Sequence, residues 1–154
     1  MNLTDLPEKL KEFLDELSLV EDQQDRINIL IDYADKFKDA PADIAKKPFY
    51  NDSKVPFCES EAYVFSKMNE DKTIKFYYAV DNPQGISAKA LCAIFDSTLT
   101  GEKPEVILKI PVDIVFEIFG RNISMGKNLG LTGILQIMQR QAKKFIGSES
   151  IVNS

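Results

Sequence analysis

Two neighbouring segments of strand-like sequence, joined by a short polar turn, interrupt a chain whose other hydrophobic patterns are helical. Residues 62–67 are rich in aromatic and β-branched side chains, and residues 74–80 show period-two patterning. Residues 69–72 form a polar turn between them, so the two strands should pair antiparallel. With helices gathered on both sides of it, this hairpin predicts an α+β fold and argues against a parallel βαβ arrangement.

Helical periodicity dominates the N-terminal part of the chain. A helix is predicted from about Pro7 to Leu19, because proline suits a first turn and the apolar residues fall on one face. A second helix is predicted after Asp22, whose side chain suits the N-cap position. We expect the apolar stripe of this second helix to belong to the core: Ile27, Leu30, Ile31, Ala34 and Phe37.

Helical patterns return after the hairpin. We predict long helices over about 87–99 and about 131–145 and a shorter helix that begins near Pro111, with a short helical turn from Pro104 to Leu108 between the first two. Residues 121–130 are polar and rich in glycine, so they are predicted to form a loop. The resulting element order is α-α-β-β-α-α-α.

The whole chain is predicted to form one domain. Its length of 154 residues suffices to bury a core, and no linker-like segment divides it. We therefore assign residues 1–154 to a single domain whose core spans about 7–145. The tail over 147–154 is small and polar, and we expect it to fray.

Composition excludes several classes of function. The chain has no histidine and two cysteines, so it lacks the residues of a Ser-His-Asp site, a His-ligated metal site or a four-thiolate cluster. Acidic residues outnumber basic ones by 24 to 19, which argues against nucleic-acid binding. No apolar run approaches the roughly 20 residues that span a bilayer. We expect a cytoplasmic protein with reduced thiols and no membrane partner.

The two cysteines occur in unlike contexts. Cys92 falls inside an amphipathic helical pattern and is expected to pack as a small hydrophobic residue. Cys58 follows a proline-bearing connection over residues 39–57, and irregular segments of that length in a compact domain are often functional. From position alone, Cys58 is either a thiol presented to a partner or a bystander at the surface or the core edge.

The charges beside Cys58 are mixed. Glu59 and Glu61 disfavour its thiolate, whereas Lys54 could offset them. With no histidine available as a base, Cys58 is poorly suited to act as a self-activated nucleophile. It remains able to attack a reactive sulfur that a partner supplies, because thiol exchange also depends on the leaving group and on access.

A series of short motifs resembles the SufE family of sulfur acceptor proteins. The segment from Lys54 to Val64, which contains Cys58, carries the signature of the family. The other matching segments occur in family order at residues 6–10, 26–34, 81, 87–91, 99–107 and 130–131. Together these motifs extend over about residues 7–145.

The resemblance implies a carrier of sulfur rather than a stand-alone enzyme. In that family a cysteine accepts sulfur from the active-site persulfide of a PLP-dependent cysteine desulfurase and passes it to an iron–sulfur cluster scaffold. By resemblance, Cys58 is the persulfide carrier, and its partners are a SufS-like desulfurase and a SufB-like scaffold complex. No cofactor is implied for this chain, because the PLP belongs to the desulfurase. The implied fold is similar to that of the scaffold protein IscU.

The resemblance also implies supporting roles for two charged residues. Asp81 matches a family position after the second strand, and Lys127 stands where the family usually has an arginine. Lysine keeps the charge and loses the planar fork of arginine. Phe57 replaces the usual glycine before the cysteine, and Glu59 replaces a glutamine or valine after it.

Other interpretations stay open. The departures at Phe57 and Glu59 also fit a diverged binding module that keeps the fold and transfers no sulfur. Asp81 could be an ordinary turn residue and Lys127 a solvated lysine. An iron–sulfur scaffold is not predicted, since two cysteines without histidine cannot hold a cluster within one chain.

Overall fold

The computed structural model describes residues 5–45, 53–56, 61–81 and 85–152, with side chains up to residue 147. In chain order these residues form α1 (Glu8–Ser18), α2 (Gln23–Asp35), β1 (Ala62–Met68), β2 (Ile74–Val80), α3 (Ile86–Leu99), α4 (Pro104–Leu108), α5 (Ile114–Phe119) and α6 (Met125–Val152). Six helices and one antiparallel strand pair confirm the predicted α+β fold among the residues described.

The two strands form the hairpin that the sequence predicted. Ala62 lies opposite Val80 and Met68 lies opposite Ile74, so the pairing is antiparallel along its whole length. The period-two pattern places one set of side chains in the core: Ala62, Val64, Ile74, Phe76, Tyr78 and Val80. The strands contact α3 and α6, which cover this apolar face.

Helix α3 runs through the core. Leu91, Ile94 and Phe95 are completely buried, and Cys92 is 1% exposed, which confirms the prediction that Cys92 packs as an apolar residue. The Tyr78 hydroxyl lies 3.8 Å from the Met138 sulfur and donates to it. Burial raises the pKa of Tyr78 well above its ordinary value, and nearby Cys92 and Asp96 add to the shift.

The two N-terminal helices begin and end close to the predicted positions. In α1, the apolar face that the sequence indicated is buried, and it comprises Leu10, Phe13, Leu14 and Leu17. Asp22 caps α2 as predicted, because its carboxylate accepts the backbone N–H groups of Gln24 at 2.8 Å and Asp25 at 3.1 Å. The Arg26 guanidinium then ties α2 to the carbonyls of Leu17, Glu117 and Ile118.

The apolar stripe of α2 is less buried than the sequence predicted. No residue of α2 is fully buried, and Ile27 and Ile31 are 41% and 39% exposed. The physical reason is that α2 packs mainly on α3 at the outside of the molecule. Leu30 and Tyr33 are partly buried against the core, whereas Ile27 and Ile31 extend into a surface groove.

Helix α6 begins at Met125, within the stretch 121–130 that was predicted to be a loop. Ser124 starts the helix, because its hydroxyl accepts the Lys127 N–H at 3.2 Å and its carbonyl accepts the Asn128 N–H at 2.9 Å. Each glycine costs a helix about 1 kcal/mol. The burial of apolar side chains farther along α6 offsets that cost. The pattern of residues 121–130 alone does not show this stabilisation, because it comes from a later part of the helix.

Helix α6 also extends beyond its predicted end near Phe145 and reaches Val152, within the tail that was expected to fray. Gly147 lies inside the helix, and a single glycine costs too little to end a helix that is already long. A search of the described residues finds no helix with the length and apolar character needed to cross a membrane, and this includes α6.

Candidate functional site

Cys58 lies outside the described residues, together with Phe57, Glu59 and Ser60. The chain on both sides of this segment is described and is attached to the sheet. The Val55 N–H donates to the Ala62 carbonyl at 2.8 Å, and Lys54 forms an antiparallel bridge with Tyr63. The residues that lead into the Cys58 segment therefore pair with the residues that follow it.

The entry to the Cys58 segment is packed against α6. The Val55 side chain is completely buried. A Cβ atom added at Gly133 would lie 2.9 Å from Val55 Cγ1 and 3.3 Å from the Pro56 carbonyl oxygen. Glycine at residue 133 therefore allows α6 to approach residues 55–56 closely, and the sequence analysis did not single it out. Gly126, Gly130 and Gly133, spaced four and three residues apart, were the available signal, since that spacing places them on one helical face.

The exit from the Cys58 segment is held at Glu61. Glu61 has a φ of 49°, in the left-handed region that disfavours residues with a Cβ atom. Its carbonyl accepts the Asp81 N–H at 3.2 Å. Asp81 follows β2 directly and is exposed, so its carboxylate is carried at the same end of the sheet as the Cys58 segment.

Lys127 lies in the first turn of α6, and not in a loop as the sequence predicted. Its side chain is exposed. A cation at a helix N-terminus opposes the helix dipole and typically costs a few tenths of a kcal/mol to about 1 kcal/mol. The charge of Lys127 therefore contributes nothing favourable to its own helix through the dipole.

Lys127 borders a surface groove of about 460 Å³ between α2, the start of α3 and the turn before α6. We call this surface the apolar groove; its main apolar contributors are Ile27, Leu30, Ile31, Ile86 and Phe119. Ile86 is 50% exposed and follows Asp81 by five positions. The groove thus joins the start of α3 with the first turn of α6.

Part of the exposed apolar surface of the molecule lies in the apolar groove. Seven large hydrophobic residues are exposed in the described part of the chain, and three of them line the apolar groove: Ile27, Ile31 and Ile86. Met125 and Leu129, which are 78% and 45% exposed, lie one turn apart on another face of α6 and do not line the groove. Contiguous exposed apolar surface on a folded protein commonly marks an interaction site.

The same residues do not resemble a metal centre. Among the described residues there is no group of three or more Cys, Asp, Glu or His side chains that could hold a metal ion. Cys92 is too deeply buried to serve as a second surface thiol. The arrangement instead combines a segment carrying one cysteine, attached on both sides, with an apolar groove; both border α6, through Gly133 and Lys127 respectively.

Comparisons with known proteins were made for the whole chain. A protein-family model described as SufE, an Fe-S metabolism associated domain, matches residues 11–142, a range that contains Cys58, Asp81 and Lys127. The solution structure of a hypothetical protein from Thermus thermophilus matches with a TM-score of 0.70 and 23% sequence identity, over 92% of this chain and 98% of that chain. At this identity the likeness shows a common fold. No curated protein sequence matches the chain.

Proposed function

The chain belongs to the SufE family, whose domain is associated with Fe–S metabolism, and on this premise we propose that it is a persulfide carrier. Cys58 takes sulfur from a cysteine desulfurase and passes it to a scaffold on which iron–sulfur clusters are assembled. The observation that carries the proposal is the attachment of the chain around Cys58. The Val55–Ala62 hydrogen bond joins the two sides of the segment, and the Glu61–Asp81 hydrogen bond holds its exit.

These attachments support a carrier role because they keep one cysteine near a fixed point of the fold. Cys58 is two residues beyond Pro56 and three before Glu61. Pro56 and Glu61 are both described, so each side of the segment has a fixed residue close to Cys58 in the sequence. A thiol with this limited reach is suited to a partner that docks beside it.

The transfer step needs no oxidant or reductant beyond the partner's persulfide. The Cys58 thiolate attacks the terminal sulfur of the desulfurase Cys–S–SH group, and a new sulfur–sulfur bond forms on Cys58. The sulfur–sulfur bond in the desulfurase breaks, and its cysteine leaves as a thiolate. The proton of the original Cys58 thiol passes to solvent. The PLP group stays in the desulfurase, where it releases sulfur from free cysteine.

Dependence on a partner agrees with the residues around Cys58. The sequence contains no histidine that could act as its base, and Glu59 and Glu61 disfavour the thiolate. The desulfurase persulfide compensates for a weakly activated Cys58 thiol, because the desulfurase cysteine thiolate is a good leaving group. The chemistry is therefore divided between two proteins, with activation in the desulfurase and acceptance here.

The desulfurase docks over the apolar groove in this proposal. Its support is the exposed apolar side chains of the groove, which is bordered by Lys127 in the first turn of α6, the helix whose Gly133 packs against Val55 at the entry to the Cys58 segment. Burial of those side chains supplies affinity, at roughly 25 cal/mol per Å² of apolar surface before the costs of association. Lys127 supplies a cation at the border, where it can meet an acidic group of the partner and orient the complex.

Intact-mass spectrometry tests the transfer step. The protein is incubated with a cysteine desulfurase, PLP and cysteine, then separated and weighed without reductant. The proposal predicts a gain of one sulfur, about 32 Da, on the wild type and no gain on Cys58→Ser. An unchanged mass of the wild type in a reaction where the desulfurase itself is persulfidated contradicts the proposal.

A binding module without transfer activity is the alternative, and Glu59 and Glu61 beside the cysteine favour it. This alternative predicts that Cys58 reacts with iodoacetamide no faster than a model thiol, both alone and in the complex. It also predicts that Cys58→Ser binds the desulfurase and leaves sulfur release unchanged. Loading of Cys58 with sulfur excludes it.

A further inference from the structure

A second surface cavity lies away from the groove. We call it the aromatic cleft; it has a volume of about 530 Å³ and lies between the end of α2, the open edge of β2 and the second half of α3. Its aromatic residues include Tyr33, Phe37 and Tyr77, and its basic residues are Lys36, Lys38 and Lys75. The size is within the range of sites that bind small ligands or short peptide segments. Nothing in the sulfur transfer chemistry uses it.

Among the described residues, the edge of β2 that borders the cleft is only partly paired, and Asp39 forms a parallel bridge with Tyr78 there. At one end the Ala40 N–H donates to the Tyr78 carbonyl at 2.8 Å, and at the other the Ile74 N–H donates to the Glu102 carbonyl at 2.9 Å. Phe76 lies midway between them, and alternate residues of a strand direct their backbone groups to the same edge. In the described part of the chain, no residue pairs with Phe76 at that edge.

The open stretch of edge has a definite length. Ile74 and Tyr78 are four residues apart, which corresponds to about 13 Å at roughly 3.3 Å per residue. About three residues of an added strand fit between the two existing contacts. An unpaired strand edge beside a cavity is the arrangement that proteins use to bind extended peptides.

The charges in the cleft favour an acidic occupant. Lys75 Nζ lies 2.5 Å from Asp96 Oδ1, so those two charges are already paired. The other basic residues that line the cleft are Lys36 and Lys38, and the other acidic residue is Asp39. Apart from the Lys75–Asp96 pair, the lining therefore carries two positive charges and one negative charge. Lys36 Nζ lies 5.1 Å from the centre of the Tyr33 ring, a contact that keeps its charge at the mouth of the cleft.

We propose that the aromatic cleft binds a short, extended, acidic peptide segment of a partner protein. The segment adds along β2 and exchanges backbone hydrogen bonds with Phe76. One of its apolar side chains enters between Tyr33 and Tyr77, and its carboxylates meet Lys36 and Lys38. Backbone pairing supplies the fixed orientation, and the lysines select acidic segments over basic ones.

This site and the apolar groove are lined by different residues. Both border α2 and α3, but the groove lies at the first half of these helices and the cleft at the second half. Ile86 in the groove and Asp96 in the cleft are separated by about 15 Å along α3, at 1.5 Å per residue. A ligand in the cleft therefore contacts residues other than those that line the groove.

Titration of the full chain with a defined peptide tests the proposal. The probe is an acetylated and amidated peptide of sequence Val-Asp-Phe-Asp-Val, and the signals are the backbone amides in ¹⁵N-labelled protein. We expect saturable shifts at Phe76 below about 1 mM peptide and slower hydrogen exchange of its amide by at least about tenfold. A peptide with lysine in place of both aspartates, and one N-methylated at its phenylalanine, should each bind at least about tenfold more weakly.

Matched charge reversals serve as the controls. Lys36→Glu with Lys38→Glu should weaken binding at least about tenfold, whereas Lys9→Glu with Lys143→Glu, outside the cleft, should change it less than about twofold. Both double variants should accept sulfur as the wild type does. No shift at Phe76, equal binding of the lysine peptide, or equal binding of the N-methylated peptide overturns the proposal, and none of these results bears on Cys58.

Discussion

The backbone N–H of Val55 donates to the carbonyl of Ala62 at 2.8 Å, across the segment that carries Cys58. This one hydrogen bond makes the entry and the exit of the segment neighbours. Val55 is also completely buried against α6. An incidental surface thiol would need no such anchoring of the chain beside it. The attachment fits a cysteine whose position matters to a partner.

Replacement of Gly133 by alanine tests that attachment. The new methyl group would lie 2.9 Å from Val55 Cγ1 and 3.3 Å from the Pro56 carbonyl, so residues 55–56 must shift. We expect a loss of about 1–3 kcal/mol in the free energy of unfolding, measured in urea, and less sulfur loaded on Cys58. Gly147→Ala is the control within α6, because its Cβ meets nothing within 4 Å; it should gain up to about 1 kcal/mol. A gain in stability for Gly133→Ala as large as that of Gly147→Ala contradicts the close approach.

The apolar groove can be tested without disturbing the core. Ile27 and Ile31 are 41% and 39% exposed, so their joint replacement by serine should cost less than about 1 kcal/mol of stability. Affinity for the desulfurase should fall about tenfold or more, as measured by isothermal titration calorimetry. Leu108→Ser is the matched control, since Leu108 is 38% exposed and lies outside the groove. If the control weakens binding as much as the double variant does, docking over the groove is refuted.

Reversal of the charge at Lys127 should raise the stability of the fold and lower the rate of sulfur transfer. An acidic side chain suits the first turn of α6, so Lys127→Glu should raise stability by about 0.3–1 kcal/mol. It should also slow sulfur transfer, because the cation at the border of the groove is lost. Lys127→Arg keeps the charge and should transfer at close to the wild-type rate. A Lys127→Glu variant with unchanged transfer would show that this lysine is merely solvated.

The buried hydroxyl of Tyr78 makes stability sensitive to alkaline pH. Its pKa in the folded protein is raised well above the ordinary value by burial, whereas an unfolded tyrosine ionises near about 10. The favourable contribution is therefore complete below about pH 10 and is lost as pH rises, by up to about 1.4 kcal/mol per pH unit. Tyr78→Phe should lose less stability between about pH 9 and about pH 11 than the wild type in urea titrations. If the free energy of unfolding falls equally with pH in the wild type and in Tyr78→Phe, the raised pKa of Tyr78 is contradicted.

The hairpin could be predicted from the sequence because its signals are local. The period-two pattern of β2 and the polar turn over 69–72 require no knowledge of other elements. The cap at Asp22 is local in the same way, and its carboxylate bonds to Gln24 and Asp25 as predicted. Burial of Cys92 followed from its place on an apolar helical face.

The errors arose where distant contacts decide the structure. The glycines of residues 121–130 indicate a loop locally, whereas Ser124 and the buried part of α6 make most of that stretch helical. The apolar stripe of α2 indicated core, but a helix that packs mainly on one neighbour leaves Ile27 and Ile31 at the surface. Gly133 went unnoticed because its importance depends on Val55, far away in the chain.

The roles of Cys58, Asp81 and Lys127 stay predictions, and the structure adds how the described residues around them are arranged. Cys58 and Asp81 came from motif order, and the structure adds that Asp81 bonds through its N–H to Glu61, at the exit of the Cys58 segment. Lys127 was expected in a loop and lies in the first turn of a helix beside the apolar groove. The groove itself combines side chains from separate parts of the chain, which no single pattern could reveal.

Single-turnover sulfur transfer to Cys58 is the most direct test of the central claim. A desulfurase is first loaded with persulfide, freed of cysteine, and mixed with wild type, Cys58→Ser or Cys92→Ser; the acceptor is then alkylated and mapped by peptide mass. We predict one additional sulfur, about 32 Da, on the peptide containing Cys58 in the wild type and in Cys92→Ser, and none in Cys58→Ser. Sulfur on Cys92, or equal loading of Cys58→Ser, would contradict the account.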